Sequence, residues 1–265
     1  MTFAFAHRSD TTGPRWTLTS PVSAGAGDGR TRLGLLAGIA ALLTVAVFTA
    51  PPLLAGATAA QRDLPAASRD AFASFWAGST PPLDDLAAYW SRFHAAKAVL
   101  AALLLIVAVQ LSRTLARRFS ARSGRLRFVD AAASASIIGS TLLTGLAAVI
   151  LLANLQGTMV PRSSLLSAVP AGSPHPADVS ALVDDFGRYH LVMAVLAGVA
   201  TLVLAVLAVR AWRSRHHASM RAAIVSRAYV ATLLMCALVA ALVTAANVST
   251  TLDPAFALEA VFTSV

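Results

Sequence analysis

Five apolar segments constrain the fold of this chain more than any other feature, because each can cross a lipid bilayer. A transmembrane helix needs about 20 apolar residues, which rise about 1.5 Å each. Backbone groups inside the hydrocarbon must pair within their own segment, so each segment is predicted to be an α-helix. The sequence therefore predicts an all-α, polytopic membrane helix bundle with five transmembrane helices, at residues 33–50, 94–111, 131–155, 191–211 and 228–247.

The composition supports a membrane protein and argues against two other classes. Hydrophobic residues make up 57% of the chain and charged residues only 12%, which leaves too little polar surface to cover a soluble core. The net charge of +9 does not indicate nucleic-acid binding, because the arginines lie in short segments between apolar spans rather than on one aromatic-rich face. Cys236 is the single cysteine, which excludes a disulfide framework and a cysteine-rich metal site.

The distribution of positive charge predicts the orientation of the helices. Fifteen Lys and Arg residues lie in the N-terminal arm and in the connections after the second and fourth helices, whereas residues 51–92 and 156–190 together hold five. Segments rich in positive charge stay in the cytoplasm. The N-terminus is therefore predicted inside and the C-terminus outside, with two long exterior loops, in the cytoplasmic membrane.

The N-terminal region separates from the transmembrane domain by composition. Residues 1–30 are rich in Ser, Thr, Gly and Pro and are predicted to form a disordered cytoplasmic arm, and residues 31–265 form the transmembrane domain. The small-residue stretch LLAGATAAQ after the first helix leaves one alternative, in which that helix is a cleaved signal peptide.

Two pairs of similar segments indicate an internal repeat. SRFHAAKAVLA at the start of the second helix reappears as GRYHLVMAVLA at the start of the fourth, 96 positions later. NLQGTMVPRSSL closes the third helix and NVSTTLDPAFAL closes the fifth, with Asn, Thr, Pro and Leu at the same spacing. The sequence predicts a two-helix unit used twice, over residues 91–165 and 187–258, with the first helix outside the repeat.

The repeat predicts one place where polar groups gather. Each unit crosses the membrane twice, so matching residues of the two units lie at the same depth, on the exterior side. We expect a ligand-binding cluster there, and the sequence indicates no catalytic residue. Its members are Arg92, His94, Lys97, Asn154, Arg188, His190 and Asn247.

Each member of this cluster also has a simpler interpretation. Arg92 and Arg188 fit interfacial anchors, and the acidic pairs Asp84-Asp85 and Asp184-Asp185 are candidate partners for the nearby cations. The two asparagines fit helix termination, since each stands shortly before a proline.

The two histidines allow more than one chemistry. A hydrogen bond between helices accounts for each of them. They are also the candidate ligands for a metal ion or for the iron of a haem cofactor.

Two resemblances add to these predictions. An Asn at the outer end of one helix, a long exterior loop and then WSRFH or FGRYH resembles the small four-helix membrane proteins of the anthrone-oxygenase-like family. The likeness covers residues 33–197, and the fifth helix departs from it. It implies oxidation of a lipophilic aromatic compound at the outer membrane face, with His94 or His190 as the base. The composition and the Asn-Thr-Asp-Pro tail also resemble multi-pass membrane proteins of high-GC actinobacteria.

Three functions follow as hypotheses. The favoured one is a non-enzymatic membrane module whose exterior polar cluster binds a small lipophilic ligand or a membrane partner protein. The second is a haem or metal protein that uses His94 and His190 as paired ligands. The third is an oxygenase-like enzyme that acts on a lipophilic substrate. No Asp or Glu lies within any span, so the usual ionisable relay of a proton-coupled pump is absent from the sequence.

Overall fold

The computed structural model describes most of the chain in five stretches. These are residues 26–58, 60–121, 128–166, 180–213 and 220–263. Residues 1–25 of the predicted arm lie outside the described residues, and the first helix begins at Ala26.

Every regular element in the described stretches is helical, which confirms the all-α prediction. Short 3-10 turns occur at Ala60–Arg62 and Ser180–Leu182. The α-helices are α1 (Ala26–Thr49), α2 (Pro51–Leu54), α3 (Leu64–Trp76), α4 (Pro81–Ser120), α5 (Phe128–Met159), α6 (Pro161–Leu166), α7 (Val183–Arg213), α8 (Met220–Leu252) and α9 (Pro254–Thr263).

Five of these helices are long and apolar enough to cross a membrane: α1, α4, α5, α7 and α8. Their outward faces carry large apolar side chains, such as Leu42 (69% exposed), Leu142 (69%) and Leu202 (68%). Monomeric proteins in water rarely expose apolar surface of this extent, whereas a helix surrounded by lipid does so. The fold is therefore that of a helical bundle compatible with a multi-pass membrane protein.

The bundle is built from two packed helix pairs and one additional helix. Helix α4 packs along α5, and α7 packs along α8. Helix α5 also contacts α7, and α1 lies against α4. The side chains Ala40, Val47, Leu104 and Ala147 form a buried core between α1, α4 and α5.

The described parts of the segments predicted as long exterior loops fold mainly into helices, which cover one end of the bundle. We call this part the cap; it comprises α2, α3, the first turns of α4, α6, the first turns of α7, and α9. Its core draws residues from α3, α4, α6, α7 and α9, and from the chain just after α2 and just before α7, so the cap is a packed unit. The buried residues are Ala55, Ala71, Phe72, Leu83, Leu86, Ala87, Tyr89, Leu165, Leu166, Leu182, Phe186 and Leu258.

All five long helices begin earlier than the sequence pattern predicted; α1 begins at Ala26, inside the predicted arm, and the change matters most at α4 and α7. Helix α4 starts at Pro81, where proline suits the first helical position, and its 40 residues rise about 60 Å. That length exceeds the roughly 30 Å hydrocarbon core, so the first turns of α4 belong to the cap. Helix α7 starts at Val183. The prediction that the Arg-aromatic-His segments open the helices is therefore wrong, because His94 and His190 lie inside α4 and α7.

Candidate functional site

A hydrogen bond between an imidazole and an amide joins the two helices of the first pair. His94 Nδ1 on α4 lies 2.7 Å from Asn154 Oδ1 on α5. An amide oxygen only accepts, so the His94 Nδ1–H donates, and a neutral ring then carries its lone pair on Nε2. Asn154 Nδ2 donates to the Ile150 carbonyl at 2.6 Å, which holds the amide against its own helix. Asn154 is 5% exposed, so this bond lies in the protein interior.

The second helix pair repeats the same bond. His190 Nδ1 on α7 donates to Asn247 Oδ1 on α8 at 2.8 Å. Asn247 Nδ2 donates to the Val243 carbonyl at 2.8 Å, four residues back, as Asn154 does in α5. The two predicted pairs of site residues therefore meet within each helix pair, His with Asn.

Aromatic rings place both histidines directly beneath the cap. The His94 ring meets Trp90 edge to face at 4.5 Å between centroids, and Trp90 packs against the cap core. The His190 ring meets Phe186 in the same way at 4.6 Å, and Phe186 belongs to the cap core. Both His–Asn pairs thus lie at the cap end of the bundle.

In the first pair, additional groups close off the other ring nitrogen. The Ser164 hydroxyl on α6 lies 3.5 Å from His94 Nε2 and accepts from Trp90 Nε1–H at 3.0 Å. The result is a chain of polar contacts from Trp90 through Ser164 and His94 to Asn154. This chain ties α4, α5 and α6 together.

Gly157 on α5 makes room for the His94 ring. A Cβ atom built at this position would lie 2.7 Å from ring carbons of His94. No side chain fits in that space without moving the ring, so a glycine is required for the close approach of α4 and α5 here.

The second pair lacks these closing groups. By the spacing of the repeat, Ala257 stands where Ser164 stands and Phe186 where Trp90 stands, so neither an equivalent hydroxyl nor an indole N–H is present. Within the described part of the chain, His190 Nε2 has no hydrogen-bond partner. The first imidazole is therefore engaged at both nitrogens and the second at one.

The asparagines do not end their helices, so that prediction is wrong. Helix α5 continues to Met159 and α8 to Leu252, and each stops just before a proline, Pro161 or Pro254. Proline removes a backbone donor and disfavours a helical residue before it. The proline thus ends each helix, and the asparagine side chain forms its hydrogen bond with histidine instead.

The cations of the predicted cluster have different partners from one another. Arg92 Nε donates to the Ala55 carbonyl at the end of α2, at 3.3 Å. Lys97 Nζ lies over two aromatic rings, 5.5 Å from the centroid of Phe48 and 5.7 Å from that of Phe93. Neither Arg92 nor Lys97 pairs with a carboxylate of the described residues, contrary to the predicted partnership with the acidic pairs.

The acidic residues instead converge on an arginine that sequence reasoning missed. Arg162, in the first turn of α6, forms an ion pair with Asp84 on α4 and lies 3.7 Å from Asp185 on α7. Arg188 Nη1 lies 4.0 Å from the other oxygen of Asp185, which confirms the predicted pairing for this one cation. Arg162 therefore connects the two helix pairs through the cap.

Sequence reasoning also missed Gly157 and Ser164, although both lie inside the quoted segment NLQGTMVPRSSL. They occupy positions where the two repeat segments differ, Gly against Thr and Ser against Ala. These differences between the two similar segments are the sequence signal that points to Gly157 and Ser164.

The arrangement provides two imidazoles of defined hydrogen bonding, and few other groups that bind metals. Among the described residues, no three His, Cys, Asp or Glu side chains are grouped to hold a metal ion. A metal or haem iron would therefore depend on a histidine Nε2, and a hydrogen bond from Nδ1–H to an oxygen acceptor is what usually orients such a ligand.

Comparison with known proteins adds no relative. No protein-family model, no curated protein and no solved structure matches this chain.

Proposed function

We propose that this chain is a non-enzymatic, multi-pass protein of the cytoplasmic membrane that binds a small lipophilic ligand or a membrane partner protein at its cap end. The N-terminus lies in the cytoplasm, and the cap and the C-terminus lie outside. The positive-inside distribution supports this orientation, since fifteen of the 21 Lys and Arg residues belong in sequence to the N-terminal arm and to the regions around the α4–α5 and α7–α8 connections.

The proposal includes the internal repeat. Matching His–Asn bonds of 2.7 and 2.8 Å support it, together with matching bonds from Thr158 to the Asn154 carbonyl and from Thr251 to the Asn247 carbonyl, both 2.8 Å. Leu165 and Leu258, at equivalent positions after the prolines, are both fully buried in the cap. Two units of the same orientation therefore carry a shared cap.

The main support for this function is the location of the polar cluster and the contacts that its members make. Each histidine joins two helices immediately beneath the cap, and the cap surface above carries exposed charges at Asp84, Arg162 and Arg188. The histidine–asparagine hydrogen bonds hold the helices together beneath the cap, and the charged groups lie on its outer surface. That combination suits a rigid binding surface better than a set of reacting groups.

Labelling of single cysteines tests the orientation. In a Cys236→Ser background, Ser79→Cys places a thiol on the exposed turn before α4, and Ala121→Cys places one at the opposite end of that helix. With a membrane-impermeant maleimide on intact cells, we expect the thiol at position 79 to react and the thiol at 121 to react only after permeabilisation. The reverse pattern would contradict the orientation.

Native mass spectrometry of protein released from its own membranes tests the binding role. We expect an additional bound mass, either a lipophilic molecule or a second polypeptide, that decreases in Arg162→Gln and is retained in Arg69→Gln. Arg69 is an exposed arginine on α3 without an ion pair among the described residues. Protein that carries no additional mass under mild extraction would contradict the proposal.

One observation favours a haem or metal protein as the second candidate. His190 Nδ1–H is held by Asn247, and its Nε2 has no partner among the described residues, as expected of a ligand nitrogen. An absorption spectrum with metal analysis of protein produced with added haem tests this, and a Soret band lost in His190→Ala would favour the second candidate over the first. The oxygenase-like activity stays a prediction from the resemblance alone.

A further inference from the structure

We infer that Arg92 and Lys97 form a binding site for the phosphate group of an anionic lipid, in the groove between α1 and α4. The inference rests on the proposed function in one respect, the location of the helices in a membrane. It names an anionic lipid as one lipophilic ligand. The observations that lead to it are the contacts of the two cations, their depth and the differences from the second repeat unit.

The two cations face the same neighbouring segment. Arg92 reaches the Ala55 carbonyl at the end of α2, and Lys97 lies over Phe48 in the last turn of α1. They are five residues apart on α4, a rise of about 7.5 Å, which side chains of this length readily bridge. Both charges therefore border the groove where α1 ends against α4.

The positive charge in this groove has no protein counter-charge among the described residues. Lys97 contacts two aromatic rings, and Arg92 uses Nε on a carbonyl, which leaves its two terminal amino groups without a described partner. Lys and Arg side chains near the end of a span extend toward the headgroup region, where an anion or water meets their charge. A guanidinium fork and an ammonium are the groups that bind phosphate oxygens.

The depth of the groove fits lipid headgroups. Helix α1 ends at Thr49 and is followed by two prolines, so Phe48 marks the cap end of that span. Because Lys97 Nζ lies over the Phe48 ring, its charge lies at the same level. Phe48 is 61% exposed, and Val45, one turn earlier, is 60% exposed, so an apolar strip for an acyl chain continues from the charged site into the span.

The second repeat unit provides an internal comparison. Arg188 takes the place of Arg92 but lies 4.0 Å from Asp185, and Met193 takes the place of Lys97. The site is therefore expected in the first unit only.

The experiment is a lipid titration of the full-length protein in detergent. The thermal unfolding midpoint is measured at each lipid concentration. Palmitoyl-oleoyl-phosphatidylglycerol should raise the midpoint, and the same concentration of palmitoyl-oleoyl-phosphatidylcholine should not. Lys97→Met and Arg92→Gln should each weaken the apparent affinity for phosphatidylglycerol about fivefold, the effect of one basic residue near a membrane surface. Arg69→Gln, which removes an exposed arginine of α3, is the control and should bind like the wild type.

Several results would overturn the inference. One is an equal loss of affinity in Arg69→Gln and Lys97→Met, and another is unchanged affinity in both Lys97→Met and Arg92→Gln. The third is an equal rise of the midpoint with inorganic phosphate, which would assign the site to a free anion. Since Met is the natural residue at position 193, Lys97→Met is compatible with a folded helix, and Arg92→Gln provides the second variant. Absence of a phosphatidylglycerol effect on protein of the expected orientation would reject the lipid site and leave the proposed function standing.

Discussion

At the scale of residues, one hydrogen bond appears twice in different surroundings. His94 and Asn154 are enclosed by Trp90, Ser164 and Gly157, whereas His190 and Asn247 lack the equivalent polar neighbours. Asn154 is buried and Asn247 is half-buried. The same bond should therefore contribute more to stability in the first unit than in the second.

Replacing either asparagine by leucine tests this difference. Asn154→Leu leaves a buried His94 N–H without its acceptor and should lower the free energy of unfolding by about 1–2 kcal/mol. Asn247→Leu should cost less than about 1 kcal/mol, because water or lipid headgroups can reach the half-buried site. Unfolding in a denaturing detergent measures both, and equal losses would contradict the stated difference.

Gly157→Ala tests the close approach of α4 and α5. The added methyl group would lie 2.7 Å from the His94 ring, so the ring or the helices must move, at a cost of about 1–3 kcal/mol. Gly139→Ala on the same helix is the control, because nothing lies within 4 Å of its added carbon. That control should leave stability unchanged or raise it by up to about 1 kcal/mol, and a loss as large as that of Gly157→Ala would contradict the prediction.

At the scale of elements, prolines and one arginine decide how the helices are arranged. Pro161 and Pro254 end α5 and α8, and the chain then turns into the short helices α6 and α9 of the cap. Arg162, one residue after the first of these prolines, reaches carboxylates on both α4 and α7. The break in α5 thus places a cation between the two helix pairs.

Arg162→Gln should weaken the contact between the pairs in a salt-dependent manner. These side chains are partly exposed, so we expect a loss below about 1 kcal/mol at low ionic strength and almost none at high ionic strength. Thermal unfolding midpoints at both ionic strengths measure the difference. Arg69→Gln should change little under either condition, and a loss in Arg162→Gln that does not depend on salt would show that packing, not charge, is responsible.

At the scale of the whole molecule, the cap is one packed unit to which both helix pairs, and the short helices that follow them, contribute. Leu165 on α6 and Leu258 on α9 are fully buried in the same core as Phe72 on α3. The five long helices, by contrast, expose most of their large apolar side chains outward. The cap therefore provides the larger of the two buried hydrophobic clusters in the described residues.

Leu165→Ala and Leu258→Ala should each destabilise the entire cap by about 2–5 kcal/mol, the usual cost of a cavity in a packed core. Hydrogen exchange measured by mass spectrometry should increase in α3 peptides of both variants, because the core is shared. Leu53→Ala, at a side chain that is 81% exposed, is the control and should have almost no effect. Faster exchange confined to the substituted helix would contradict a single cap core.

Part of the candidate site was predictable from the sequence because the repeat aligned its members. The spacing placed both histidines and both asparagines at one end of the bundle, and the structure pairs them as His94 with Asn154 and His190 with Asn247. The spacing could not show that Asn154 bonds sideways to a neighbouring helix instead of ending its own. That choice depends on the distance between α4 and α5, which Gly157 allows.

The sequence by itself determined the helical class, the five apolar helices and the asymmetry of positive charge. These properties follow from side-chain hydropathy and local backbone pairing along a single segment, and need no knowledge of neighbours. Only the tertiary structure decided that the predicted loops form a cap and that Arg162 serves Asp84 and Asp185. The reason is chain separation: His94 and Asn154 are 60 positions apart and Asp84 and Arg162 are 78 apart, so packing alone brings them within bonding distance.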